Sequence, residues 1–390
     1  MTALDGGQTD VDGCGPVHAA RRLAPLAAAS AVTIERAGRL TDELVAAMSE
    51  ARLFDLYLPA SLGGPEADPI TALLAVEALA RADASVGWCA QVSIANSWQL
   101  AAFDPEAVRA MIALDGGALR CAGSARPLGR AVRVEGGYQV SGRWDFASNV
   151  CHAGWYLGTC LSEEDGRRRT RVVCVPVAAG EIIDTWDVAG LRGSGSHDFA
   201  VDELFVPDTH VAAGRHVAAQ TGPLYRPRLT MVSNWAPTAA IGLGVAQGAI
   251  DAFVAMAGEG TANRVDVALR ERSDTQRCVG RAVSKIGAAR AYCLDAIGRA
   301  WQSDADTDPV ALDEMVRAAR LSITHAMHSA VEVVDLLFHA GGTRSVFSAS
   351  GLERRWRDAH VAMQHGAALP SHFDTAGRLV TGLPAGAPFW

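Results

Sequence analysis

The stretch from Gly142 to Asn149 sets two large aromatics, Trp144 and Phe146, two residues apart and just ahead of a hydroxyl and an amide, Ser148 and Asn149. It follows a short extended run, Val132 to Val140, that contains Gly136 and Gly137. Side chains alternate along a strand, so both aromatics share one face and Asp145 takes the other. A flat apolar wall beside hydrogen-bonding groups suits a planar ring system with a polar edge. The same pattern also describes a core strand with two buried aromatics. Elsewhere, His325 and His328 lie three apart on one helical face. No third ligand follows at a recognisable spacing, and no metal site is expected. No Gly-x-Gly-x-x-Gly follows a strand, so the chain carries no signature of a nicotinamide dinucleotide site.

The elements that must hold these residues belong to a long, mildly acidic chain. Its 390 residues are 49% hydrophobic and 20% charged, with a net charge of -8. That balance, without any basic block interleaved with aromatics, argues against a nucleic-acid surface. Eight scattered cysteines without a Cys-x-x-Cys pair read as small buried thiols in a reducing compartment, and a cytoplasmic location is expected. Residues 1–18 lack the basic start and apolar core of a signal peptide and read as a disordered lead-in. No uninterrupted apolar run reaches roughly 18 residues, so no membrane span is expected.

Residues 19–119 read as a helical domain. Asp68-Pro69 and Asp104-Pro105 each give an N-cap and first-turn proline, and Ser85 to Ala102 is apolar nearly all round, as a buried helix would be. Residues 120–220 are β-rich, with short runs at Gly136 to Val140, Arg171 to Val175 and Phe199 to Val206 separated by turn residues. After a proline-bearing linker from Thr221 to Arg228, residues 221–390 hold long helical patterns over Leu229–Met256, Val265–Trp301, Val310–Phe338 and Gly351–Leu379, as in a four-helix bundle. The fold class is thus mainly α with a central β domain.

Five segments in this order resemble the acyl-CoA dehydrogenase superfold, and within it the oxygenase components of two-component flavin-dependent monooxygenases. They are Ala80 to Trp88, Gly142 to Asn149, Leu191 to Asp198 with Val201 to Pro207 behind it, His339 to Gly342, and Arg357 to His360. The resemblance spans about residues 20 to 380. It implies an N-terminal helical domain, a middle sheet or barrel, a C-terminal bundle and a homotetramer. It also implies flavin contacts from Ser85, Trp88, Ser124, Trp144, Phe146, Ser148, Asn149, Ser194 and Arg264, with Gly341 and Gly342 facing a neighbouring subunit's cofactor tail. Gly193 and Gly195 equally fit ordinary turns. His152 and His197 fall in turns that reach either the flavin cavity or solvent.

Dehydrogenases of this superfold use a glutamate after an Arg-Asp-Ala helix, whereas alignment on Arg357-Asp358-Ala359 puts His365 and Gly366 in the corresponding positions. The resemblance therefore points to the monooxygenase branch, using diffusible reduced FAD or FMN from a separate NAD(P)H-dependent reductase and O2. Its chemistry runs through a C4a-hydroperoxide that oxidises an aromatic or heteroaromatic substrate. Ser148 is then expected near flavin N5. His365 is expected to stabilise the hydroperoxide or take a proton from the substrate, a task suited to an unperturbed pKa of about 6.5. N-hydroxylation of an amine or amino sugar, an acyl-CoA dehydrogenase with a displaced base, and a non-catalytic scaffold subunit are the other readings of the same residues.

Overall fold

The computed structural model describes residues 15–214, 222–258, 268–304 and 306–386. Of the expected lead-in, residues 1–14 lie outside the described residues, and Pro16 already opens the first helix. Helices α1 (Pro16–Ala37), α2 (Asp42–Glu50), α3 (Pro69–Ala82), α4 (Ala84–Gln99) and α5 (Pro105–Leu114) come first. The Asp-Pro starts act as the sequence suggests. Asp68 accepts hydrogen bonds from the amides of Ile70 and Thr71, and Asp104 from those of Glu106 and Ala107. These bonds satisfy donors that a helix start leaves orphaned. Helix α4 is buried along nearly its whole length.

A seven-stranded sheet follows: β1 (Cys121–Val134), β2 (Gly137–Trp144), β3 (Trp155–Glu164), β4 (Arg167–Pro176), β5 (Glu181–Ile183), β6 (Asp198–Pro207) and β7 (Val211–Ala212), in the order β5-β6-β2-β1-β3-β4-β7. Only β1 and β3 pair in parallel; the other neighbours are antiparallel. The expected run from Val132 to Val140 is a hairpin. Gly136 turns the chain at φ 75°, and Val134 pairs with Gly137. Glycine adopts that left-handed value without strain.

Trp144 closes β2 and is 0% exposed, packed with Tyr156, Val140 and Val173 inside the sheet's own core. Its indole needs space, and three glycines, one on β2 itself and one on each of β1 and β3, provide it. A Cβ on Gly158 would lie 2.7 Å from Trp144 Cζ2, one on Gly142 2.9 Å from the ring, and one on Gly129 would run into it as well. The ring nitrogen donates to the Thr159 carbonyl at 2.9 Å, so the one polar atom is satisfied.

The C-terminal part holds α6 (Thr230–Gly258), α7 (Ser273–Gln302), α8 (Pro309–Gly341), α9 (Leu352–Ala362) and α10 (Ser371–Val380). Helix α6 is long and apolar enough to cross a membrane by composition, yet 72% of its most apolar window is buried inside the fold, where it packs on α3, α4, α7, α8 and α9. The fourth helical pattern, expected as one helix over Gly351–Leu379, is two. Gly366 and Pro370 sit in the break, and the turn between the helices presents His365 in an extended conformation instead of on a helix.

The glycine seat predicts that Gly158→Ala destabilises the protein by about 1–3 kcal/mol, the usual cost of overpacking a rigid core. In a Trp144→Phe background the clash is relieved and the added cost of Gly158→Ala should fall. Urea unfolding of the four proteins of this double-mutant cycle measures it, and equal costs in both backgrounds would show that the indole does not set the requirement for glycine.

Candidate active site

Beyond Trp144 the strand stops and the chain makes a strained turn. Phe146 has φ 54° and Asn149 has φ 70°. Both values are left-handed and uncommon outside glycine. Neighbouring groups hold the two residues there. The Ala147 amide donates to the His197 carbonyl at 2.9 Å, the Asn149 amide to the Ser194 carbonyl at 3.1 Å, and Asn149 Nδ2 to the Cys121 carbonyl at 3.3 Å. The strand alternation expected through Phe146 is therefore broken, and the two aromatics form no common wall. Trp144 is core, whereas Phe146 is 61% exposed and stands edge-on to Trp186, ring centroids 6.0 Å apart. Trp186 is itself fixed, since its amide donates to His197 Nδ1 and its indole to the Leu191 carbonyl.

Ser148 sits behind Phe146, almost fully buried. The indole of Trp88, from α4, donates to Ser148 Oγ at 3.1 Å. On its other side Ser148 Oγ lies 2.6 Å from Ser196 Oγ, which lies 2.8 Å from Ser194 Oγ, and Ser194 donates to the Leu191 carbonyl at 2.7 Å. Ser194, expected at the flavin, is fully buried at the inner end of this row, because its hydroxyl is spent on the left-handed Leu191 turn. Ser85 is likewise turned inward. Its amide is capped by Asp83, and its side chain packs against Gly193, where a Cβ would lie 3.1 Å from Ser85 Cβ. Ser124 is buried on β1; its carbonyl accepts from Thr159 and its hydroxyl from the Arg126 amide.

His365 arrives from the break between α9 and α10 and meets Trp88 edge-on, ring centroids 5.7 Å apart and planes at 83°. Burial alone pushes its pKa down to about 4, although the residue as a whole keeps partial exposure. The Ala367 amide donates to His365 Nδ1 at 3.1 Å, so the neutral ring carries its proton on Nε2. This changes the expected chemistry. The imidazole is a neutral Nε2–H donor across the physiological range, and Nδ1 is already occupied as an acceptor.

A group of buried charges ties this corner together. Asp358 of α9 accepts from the Leu191 amide at 2.7 Å. Burial first, then the negative charge of Asp83, raises its pKa to about 7. Asp83 caps α4 through the amides of Ser85 and Val86, and Arg354 lies 4.0 Å from it. Arg357 reaches Glu35 of α1 at 2.5 Å and the Ala189 carbonyl at 2.5 Å. Sequence reading misses Ser196, Trp186 and Leu191 as members of the site. The alternating Gly193-Ser194-Gly195-Ser196 is the available signal for the serine row, but nothing local marks its partners.

Gly341 and Gly342 end α8, away from this cluster in the chain. Gly341 faces Ser345 and Met256, and Gly342 (φ 56°) faces open space. Arg264 lies outside the described residues. His328 Nε2 donates to the Ala368 carbonyl and His325 pairs with Ser329, while a buried His152 accepts from the Leu40 amide at 3.0 Å. Both His152 and His197 thus accept backbone amides and organise turns.

Residues 18–112 match the acyl-CoA dehydrogenase N-terminal domain and residues 236–370 its C-terminal domain. The oxygenase component of an FADH(2)-dependent resorcinol hydroxylase from Rhizobium sp. is 30% identical over 380 residues, covering 92% of this chain and 91% of the relative. The oxygenase subunit HsaA, a flavin-dependent monooxygenase of Mycobacterium tuberculosis, is 29% identical over 363 residues, covering 89% of this chain and 90% of its own. The crystal structure of HsaA from M. tuberculosis superposes with a TM-score of 0.84 at 28% identity over 96% of this chain and 99% of that one. With the fold, the missing glutamate and the length of these matches in agreement, the chain belongs to the flavin-dependent monooxygenase oxygenases of the acyl-CoA dehydrogenase superfold.

Proposed function

We propose that the chain is the oxygenase component of a two-component system, taking reduced FAD or FMN from a separate NAD(P)H-dependent reductase and using O2 to hydroxylate an aromatic or heteroaromatic small molecule. The resorcinol hydroxylase and HsaA relatives support this class of reaction. The junction of Trp88, Ser148 and His365 carries the reading on the side of the site, since it gathers a hydroxyl, an indole and a neutral imidazole from three separate segments.

Phe146 gives the test of fit for a flavin ring. Its side chain is 61% exposed on a strained turn. It offers a flat apolar face, beside Trp186, against which a planar ring could pack. When bound, reduced flavin supplies the electrons that activate dioxygen. Ser148 would accept a hydrogen bond from the ring edge, and Trp88 fixes that oxygen in place. His365 would donate from Nε2 toward the reacting oxygen, with no carboxylate bearing on its ring and Gly366 beside it where a dehydrogenase keeps its base. Desolvation around His365 limits water and so the loss of oxygen as hydrogen peroxide.

The same reading includes a homotetramer built through the bundle and a cytoplasmic setting. A groove of about 880 Å³ between α7 and α8 is lined by Arg277, Arg281, Lys285 and His339, together with Asp335 and with Glu332, which pairs with Lys285. His339 stands two residues before Gly341, and with Lys285 paired to Glu332 the Arg277 and Arg281 guanidiniums are the groups that would meet a phosphate-bearing tail. Val346 and Phe347, just beyond Gly342, are exposed and apolar, as a subunit contact would require. The described cysteines are all free, in keeping with a reducing compartment.

Mixing the protein and chemically reduced FMN or FAD with oxygenated buffer and a panel of phenols and indoles should yield hydroxylated product. His365→Ala and Ser148→Ala should each cut product per flavin consumed by about tenfold or more, with hydrogen peroxide rising to match. Reoxidation identical to free flavin, without product from any substrate, would sink the reading.

A second expectation concerns pH. Burial holds His365 below its unfolded pKa, so the native state refuses a proton that the unfolded chain accepts. The resulting contribution to stability is complete above about pH 6.5 and is lost as pH falls toward about 4. In protein labelled with carbon-13 at histidine Cε1, the signal absent from His365→Gln should stay at its neutral position down to about pH 5. Movement of that signal near about pH 6.5 would show that the ring is solvated and free to act as a base.

A further inference from the structure

The serine row has a direction that the distances alone determine. A carbonyl oxygen only accepts, so the 2.7 Å contact between Ser194 Oγ and the Leu191 carbonyl must carry the Ser194 proton. Two oxygens that close without a shared proton repel. With its one proton spent, Ser194 can meet Ser196 only as an acceptor, so Ser196 donates to it across 2.8 Å. Ser196 in turn can only accept from Ser148, across 2.6 Å. Ser148 therefore donates inward. One of its two lone pairs takes the Trp88 N–H at 3.1 Å, which leaves a single lone pair and no proton for anything in the site.

The end of the row is firmly set. The Leu191 carbonyl also accepts the Ser194 amide at 3.0 Å and the Trp186 indole at 3.0 Å, while the Leu191 amide is held by Asp358 at 2.7 Å. The Leu191 carbonyl thus meets three donors with two lone pairs, and the Ser194 hydroxyl makes the shortest of the three contacts, which sets the direction of the row. A hydroxyl that donates within such a row is also a better acceptor.

We infer that Ser194 and Ser196, which do not themselves reach the cofactor, make Ser148 an acceptor only, so that the pocket selects reduced flavin over oxidised flavin. The inference rests on the reading above, in which Ser148 faces the flavin ring edge at N5. Two-electron reduction places a proton on N5, giving an N–H that meets the Ser148 lone pair. Oxidised flavin presents a lone pair there, and two lone pairs facing each other leave both unpaired. Such selectivity suits an enzyme that borrows its cofactor reduced and must release it oxidised.

The two inner serines make different predictions. In Ser194→Ala, Ser196 loses its acceptor and turns to donate to Ser148. Both Ser148 lone pairs are then filled by Ser196 and Trp88, and its proton points outward. In Ser196→Ala the Ser148 proton is simply released. Anaerobic titration of each variant with oxidised and with dithionite-reduced FMN and FAD, followed by tryptophan fluorescence, gives both dissociation constants. The ratio of oxidised to reduced Kd should fall about tenfold in Ser196→Ala and further in Ser194→Ala, the residue more remote from the ligand. A merely structural role would weaken both flavin forms alike. Thermal melting checks folding, and either variant alone suffices if the other fails to fold. A ratio within about twofold of wild type in the folded variants, with Ser148→Ala weakening reduced flavin, overturns the inference and spares the functional reading. Unchanged binding of both flavin forms in Ser148→Ala overturns the reading itself and this inference with it.

Discussion

The contact on which the site depends is the buried hydrogen bond from the Leu191 amide to Asp358. Leu191 sits at φ 52°. A leucine held in that region costs about 1–3 kcal/mol unless its surroundings over-determine it. Here they do. Asp358 takes the amide, Arg357 takes the Ala189 carbonyl, and the α9 backbone passes so near Gly190 that a Cβ there would lie 2.4 Å from the Arg357 carbonyl. The helix of the bundle thus moulds a loop of the sheet. Burying Asp358 beside Asp83 would be costly without Arg354 and Arg357 nearby. Even with them its pKa stands at about 7.

From that contact the geometry spreads outward. The Leu191 turn places Ser194 and Ser196, whose backbone and hydroxyls hold the Asn149 and Ser148 turn. Asp83, in the same charged group, caps the helix that delivers Trp88. Helix α9 itself runs straight into the turn that carries His365. One cluster of buried charges therefore serves all three segments that meet at the site. Each segment alone would be a strained loop or an apolar helix face.

Much of this is legible in the sequence, and the illegible part has a physical pattern. Helices with Asp-Pro starts declare themselves through local hydrogen bonds, and the change from helical to strand texture near Leu119 follows from side-chain periodicity. The segments Gly142 to Asn149 and Leu191 to Asp198 stand out, and so do His365, Ser148 and Trp88. Orientation within them does not. Trp144 and Phe146 read as one face only if alternation is carried through a turn that has left-handed backbone at Phe146. Ser194 reads as a ligand contact and Ser196 only as a member of its segment, since only contacts between residues far apart in the chain reveal which hydroxyl faces inward. His365 reads as an ordinary titrating histidine in a helical pattern unless Gly366 and Pro370 are taken as a break, and its low pKa is a property of packing alone.

The Leu191–Asp358 and Glu35–Arg357 contacts join residues 167 and 322 positions apart. Pairings of that span are closed late, because the chain must be nearly complete before the loop entropy they cost is offset. A nascent chain emerging from the ribosome cannot shape the Leu191 turn until α9 has emerged. Completion of the candidate site is in this sense a final act of biogenesis. A chain arrested before its last helices would carry Trp88, Ser148 and the inner serines, yet lack both His365 and the contact that shapes the turn behind them.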